Sequence, residues 1–219
     1  MAYCFISDLH LNEERPDITQ AFLDFLEESA SKAEKLYILG DLFEAWIGDD
    51  DQNNLIEKVR KALLKTNKTT QIFFMHGNRD FLIGSEFASS SGMKILNDPC
   101  VEKMFGKPIL LMHGDLLCTD DLDYQSFRKT TRNSKWKQEF LNKPLSERKE
   151  IATNLRDASK EATSSKDEYI MDVSQLEVEK IMVQHNVNIL IHGHTHRPNC
   201  LLYTSPSPRD QRGSGMAAC

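Results

Sequence analysis

Seven side chains able to hold metal ions stand in five short clusters. These are Asp8-Leu9-His10, Gly40-Asp41, Gly77-Asn78-Arg79-Asp80, His113-Gly114-Asp115 and Gly193-His194-Thr195-His196. They offer two carboxylates (Asp8, Asp41), one amide oxygen (Asn78) and four imidazoles (His10, His113, His194, His196). That mixture suits borderline divalent metals. It is too large for one tetrahedral zinc site and fits two neighbouring ions that share a carboxylate. Such a pair lowers the pKa of a water and neutralises phosphoryl oxygens during in-line attack, so no Ser or Cys nucleophile is needed. Arg79 adds a charge-assisted contact for a phosphate oxygen.

Taken singly, each cluster reads as a cap or a turn. Their common position carries the argument. Each follows an apolar run, at residues 3–6, 35–39, 71–75, 108–112 and 187–191, and each run reads as a buried strand. Ile18, Ala21, Phe22, Phe25 and Leu26 recur at helical spacing and predict a helix over 17–30. Leu55, Val59, Ala62 and Leu63 mark a second helix. Alternating strands and helices give an α/β class, in which ligand sites form at the carboxyl ends of the strands.

Residues 121–167 break this rhythm and read as a helical insertion, because they hold no strand-like run and are rich in charge. Between Arg128 and Lys166 there are eleven Lys/Arg and five Asp/Glu, so this span carries +6. The chain as a whole carries -6, which leaves -12 for the rest. One reading is a solvated helical insertion. The other is a basic lid that faces an anionic substrate or membrane surface, with Phe127, Trp136, Phe140 and Leu141 on its apolar side.

The 219 residues suggest one domain with an insertion. Five cysteines without a Cys-x-x-Cys pair argue for free thiols rather than a disulfide scaffold. The acidic balance disfavours nucleic acid as a partner. No apolar run approaches the roughly 20 residues that span a bilayer. The first residues lack the basic region of a signal peptide, so an intracellular location is expected. Residues 200–219 show no packing logic and look like the translation of a sequencing adapter; the natural sequence is expected to end near Asn199.

In their order and spacing, the clusters resemble the calcineurin-like metallophosphoesterase superfamily. More closely, they resemble its UDP-2,3-diacylglucosamine hydrolase family, which acts in lipid A biosynthesis. The matching pieces include Ile6-Ser7-Asp8-Leu9-His10-Leu11, Gly40-Asp41-Leu42-Phe43-Glu44 and His76-Gly77-Asn78-Arg79-Asp80-Phe81. Tyr124-Gln125, Ser164-Ser165-Lys166 and His192-Gly193-His194-Thr195-His196-Arg197-Pro198 extend the match over residues 3–198.

The resemblance implies a β-sandwich flanked by helices, with a helical lid inserted at about 121–167. It implies two Mn²⁺ ions, one held by Asp8, His10, Asp41 and His196 and the other by Asp41, Asn78, His113 and His194. Asp41, Arg79 and His194 are the implied catalytic residues. Asn78, Arg79, Asp121, Ser159, Thr163, Lys166 and His194 are the implied substrate contacts, with Thr163 where the family has Asn. The implied reaction is attack of water on the α-phosphorus of UDP-2,3-diacylglucosamine. The implied location is the cytoplasmic face of the inner membrane, with peripheral contact through the lid. Other dinuclear phosphoesterases and a catalytically inactive scaffold are the competing readings. Phosphoprotein phosphatases of the superfamily carry His where this chain has Arg79. An arginine cannot usefully protonate an alkoxide leaving group, which favours cleavage of an anhydride over an ester.

Overall fold

The computed structural model describes residues 2–164, 170 and 172–196, with the backbone alone at 160–164. Four strands, β1 (Tyr3–Ile6), β2 (Lys35–Ile38), β3 (Gln71–Met75) and β4 (Met93–Leu96), form a parallel sheet in chain order. The crossovers are α1 (Pro16–Glu28), α2 (Asn54–Thr66) and α3 (Ser85–Ser91). A second sheet joins β5 (Cys100–Met104), β6 (Lys107–Met112) and β7 (Leu190–His192). In it β5 and β6 run antiparallel, whereas β6 and β7 run parallel.

Side-chain alternation along each strand makes the two sheets a sandwich. On β2, Leu36 and Ile38 face the helices and join Phe22, Leu26, Val59 and Leu63. Tyr37, with Leu39 just beyond the strand, points the other way and meets Met104, Ile109 and Leu111 of the second sheet. On β6, Leu110 and Met112 face outward onto Val178 and Met182 of α7 (Gln175–Gln184). Both faces of the central strands are therefore buried, which is why they read as continuous apolar runs.

Register then lines up the strand ends. Phe5, Tyr37 and Phe73 are direct partners across β1, β2 and β3, and their rings stack with centroids 5.1 and 4.9 Å apart. Ile6, Ile38 and Phe74 are likewise aligned. The chain leaves all three strands at one edge, bringing Asp8, Asp41 and Asn78 there.

Among the described residues, three α-helices stand between β6 and α7: α4 (Leu122–Thr131), α5 (Ser134–Leu141) and α6 (Leu145–Ser164). Trp136 and Phe140 of α5 stack at 5.1 Å and extend the core over α3.

The expected α/β class and helical insertion match this architecture. The last strand does not match in register. It spans Leu190–His192 rather than 187–191, because Val187 packs beside Val178 and Met182, and its N–H bonds to the Met182 carbonyl at 3.0 Å. Strands β4 and β5 have no counterpart in the sequence reading. Cys4 and Cys100 carry free thiols and Cys118 is buried; Cys200, Cys219 and the rest of the 200–219 tail lie outside the described residues.

Candidate metal centre

Five turns carry the candidate ligands, and all follow carboxyl ends of strands. Their backbones are held under strain. Asp8, His10, Asp41, His194 and His196 all have φ between 50° and 73°, the left-handed region that non-glycine residues rarely adopt. Hydrogen bonds between turns oppose that strain. Asp8 N–H donates to Gly40 O at 3.0 Å, His10 N–H to Asp41 O at 3.0 Å and Gly193 N–H to His113 O at 2.7 Å. The two sheets are joined directly, because His194 N–H donates to Asp8 Oδ2 at 2.8 Å.

Asp80 fastens the turns after β2 and β3. Its fully buried carboxylate accepts from Leu42 N–H (2.7 Å), Gly77 N–H (2.8 Å) and Asp41 N–H (3.3 Å). Burial and the neighbouring Asp41 push its carboxyl up to about 7. Two glycines allow this closeness. A Cβ on Gly77 would run into the Asp41 carboxylate, and one on Gly40 (φ +92°) would meet Gly77 Cα at 2.6 Å.

The ligand atoms gather in two groups, Asp8–His10–His196 and Asp41–His113–His194, each within 4.8 Å. Asp41 Oδ2 joins them, lying 3.8 Å from His10 Nε2 and 3.9 Å from His113 Nε2. Asn78 Oδ1 belongs to the second group, 3.0 Å from His113 Nε2 and 2.9 Å from His194 Nδ1. In the first group, His10 Nε2 faces His196 Nε2 at 3.1 Å. Asp8 Oδ1 is buried without a hydrogen-bond partner, 4.0 Å from His196 Nε2. Ligands bonded about 2.1 Å from one ion sit roughly 3 Å apart. The converging donors and the orphaned oxygen therefore fit two cations that share Asp41.

Tautomers and charge agree with this fit. His113 Nδ1 lies 2.8 Å from the Leu39 carbonyl, which can only accept, so Nδ1 carries a proton and, once the ring is neutral, Nε2 presents its lone pair to the centre. Burial alone would lower the imidazoles of His113 and His10. Asp41, Asp115 and Asp8 outweigh it at His113, and Glu44, Asp41 and Asp8 outweigh it at His10, so both are raised. Burial lowers His194 to about 4, keeping that imidazole neutral.

Arg79 stands at the rim. Its N–H donates to Asp41 Oδ1 at 2.8 Å, while its buried Nε has no protein partner. Beside it opens a cavity of about 300 Å³ lined by Trp46, Phe81, Phe127, Trp136, Phe140 and Leu155. Asp121 and Ser159 lie on its wall, and Asp121 also caps α4 by accepting from Tyr124 N–H at 3.0 Å. Thr163 falls on α6, with its side chain outside the described residues, and Lys166 lies outside them altogether.

Several residues around the centre had no role in the sequence reading. Asp115 is buried and accepts from Tyr124 Oη (2.6 Å) and Arg128 Nε (2.8 Å). Arg132 donates to Gly77 O at 2.7 Å and lies over the Phe81 ring. Arg148 donates to Ile47 O at 2.6 Å and pairs with both oxygens of Asp50. Lys149 pairs with Asp51 at 3.1 Å, and Arg156 with Glu44 at 3.2 Å. Much of the positive charge of the insertion thus faces the acidic core. Only the excess of acid outside the insertion hinted at this.

Residues 1–198 match the calcineurin-like phosphoesterase family. The chain is 53% identical over 199 residues to a UDP-2,3-diacylglucosamine hydrolase of Marinobacter nauticus, covering 90% of this chain and 82% of that protein. It is 52% identical over 197 residues to one from Histophilus somni, covering 89% and 84%. It is also 52% identical over 199 residues to one from Escherichia coli O7:K1, covering 90% and 83%.

Proposed function

The chain belongs to the calcineurin-like phosphoesterases, among the UDP-2,3-diacylglucosamine hydrolases, and on that premise we propose that it cleaves the pyrophosphate of UDP-2,3-diacylglucosamine. Water attacks the α-phosphorus, giving UMP and 2,3-diacylglucosamine 1-phosphate. Asp8, His10, Asp41 and His196 would hold one ion, and Asp41, Asn78, His113 and His194 would hold the other. When bound, these ions, Mn²⁺ in this reading, supply a water of lowered pKa and neutralise phosphoryl oxygens. The observation that supports this most is the Asp41 carboxylate, 3.8 and 3.9 Å from imidazoles of both groups, with Asn78 and Arg79 of the same centre lining the apolar cavity.

The other groups bind and orient. Arg79 holds a phosphate oxygen through its guanidinium. No general acid is required, because the leaving lipid phosphate is a weak base. Asn78 and His194 serve both the ion and the substrate. Asp121, Ser159, Thr163 and Lys166 contact the sugar nucleotide. Helices α4–α6, within a lid at about 121–167, enclose the acyl chains, with Trp136 and Phe140 of α5 joining Trp46 and Phe81 in the lining. Among the described residues, no helix is long and apolar enough to cross a membrane. We place the protein on the cytoplasmic face of the inner membrane, in reversible contact through its lid.

The test is UMP release from UDP-2,3-diacylglucosamine by metal-free protein with and without added Mn²⁺. Turnover that needs the metal, and that Asp41→Ala abolishes in a folded chain, supports the proposal. Full activity in Asp41→Ala, or turnover indifferent to metal, refutes it.

A further inference from the structure

Glu44 sits between a candidate ligand and the lid. Its backbone is fixed by the turn after β1, since Glu44 N–H donates to Leu11 O at 3.1 Å. Its side chain is half-buried and uses both oxygens. Oε2 lies 3.0 Å from His10 Nδ1, and Oε1 lies 3.2 Å from Arg156 Nη2 of α6. His10 Nδ1 makes no aligned hydrogen bond, yet Glu44 Oε2 is the acceptor at 3.0 Å that a proton on that nitrogen faces, and a carboxylate only accepts. The lone pair of His10 is then left on Nε2, which points toward Asp41 and His196. His10 also sits on strained backbone (φ 50°), so its ring orientation depends on partners beyond its own chain neighbours. Carboxylates that hold the far nitrogen of a ligating histidine fix both tautomer and orientation.

We infer that Glu44 is a positioning residue that locks His10 as a metal ligand, and that Arg156 ties this lock to the docking of lid helix α6. The inference rests on the reading of Asp8, His10, Asp41 and His196 as one ion's ligands. It adds that this ion's affinity is coupled to the lid, while the ion of Asn78, His113 and His194 is not.

Co²⁺ titration of the full metal-free chain, followed by visible absorption, separates the two ions. Wild type is expected to bind two Co²⁺ per chain. In Glu44→Ala one ion keeps its affinity and the other weakens about 10–100-fold. Glu44→Gln retains an oxygen for His10 Nδ1–H and binds both ions within a few fold of wild type. Arg156→Met weakens the same ion by less than Glu44→Ala and speeds amide exchange over residues 145–159. Unchanged binding of both ions by Glu44→Ala overturns the inference. So does equal weakening of both ions, or loss in Glu44→Gln as deep as in Glu44→Ala, since either would mark a merely structural prop. If wild type takes up fewer than two ions, the ligand reading itself fails and the inference falls with it.

Discussion

Asp41 and Arg148 are both buried charges, 2% and 3% exposed, yet different parts of the molecule hold them. Asp41 lies in a left-handed turn that strand register, Asp80 and backbone hydrogen bonds fix in place. Arg148 lies on a lid helix that reaches the core through side chains, to Ile47 O and Asp50. The strand ends form a centre whose geometry is set by the turns themselves and the hydrogen bonds between them. The lid is held by apolar packing of Trp136, Phe140, Leu145 and Ile151 on the core and by ion pairs around that packing. Chemistry needs placement within a fraction of an ångström, which strained turns on a sheet supply. A cover over a lipid substrate needs attachment that can yield, which ion pairs between helices and loops supply.

Substitutions at the two regions should therefore fail differently. The largest effect is expected at the shared carboxylate. Asp41→Ala should cut kcat/KM by at least about 10³-fold with little change in the apo melting point, because it removes central electrostatic stabilisation. Arg79→Ala should follow, at about 10²–10³-fold, and Arg79→Lys should recover little, since a point charge does not replace a planar fork. An Arg79→Ala loss confined to KM would mean that Arg79 only binds substrate.

Asp115→Asn comes next and acts on the lid. Asp115 pairs with Arg128 and Tyr124, and breaking such a buried pair costs about 3–5 kcal/mol. Chemical denaturation should show that loss, and kinetics should show a larger rise in KM than fall in kcat. Equal loss in both kinetic constants would dissolve the distinction between centre and cover.

The smallest effect concerns acid. Arg148 holds the Asp50 carboxyl below its ordinary value. A depressed carboxylate stabilises the fold above its unfolded pKa of about 4 and loses that contribution as pH falls through the folded value. Protection factors of the amides around residues 145–151 should thus be steady from pH 7 to 5 and fall only below about pH 4. In Arg148→Met this acid step should vanish.

The centre was more legible in the sequence than the lid. Its residues are local signals, because each polar cluster closes an apolar run and strand ends converge on one edge. Lid docking is not local. Arg148 and Asp50, or Arg128 and Asp115, meet only in three dimensions, and the sequence showed no more than a basic segment beside an acidic remainder. Strands β4 and β5 escaped notice because Lys94, Glu102 and Lys103 interrupt their apolar residues. Glu44 appeared only as one letter of a motif, since its role depends on touching His10 and Arg156 together.

The central claim is that the strand-end centre directs water to the α-phosphorus. Hydrolysis of UDP-2,3-diacylglucosamine in ¹⁸O-labelled water, followed by mass spectrometry of both products, tests it most directly. The label is expected in UMP. Label in the 2,3-diacylglucosamine 1-phosphate would contradict it.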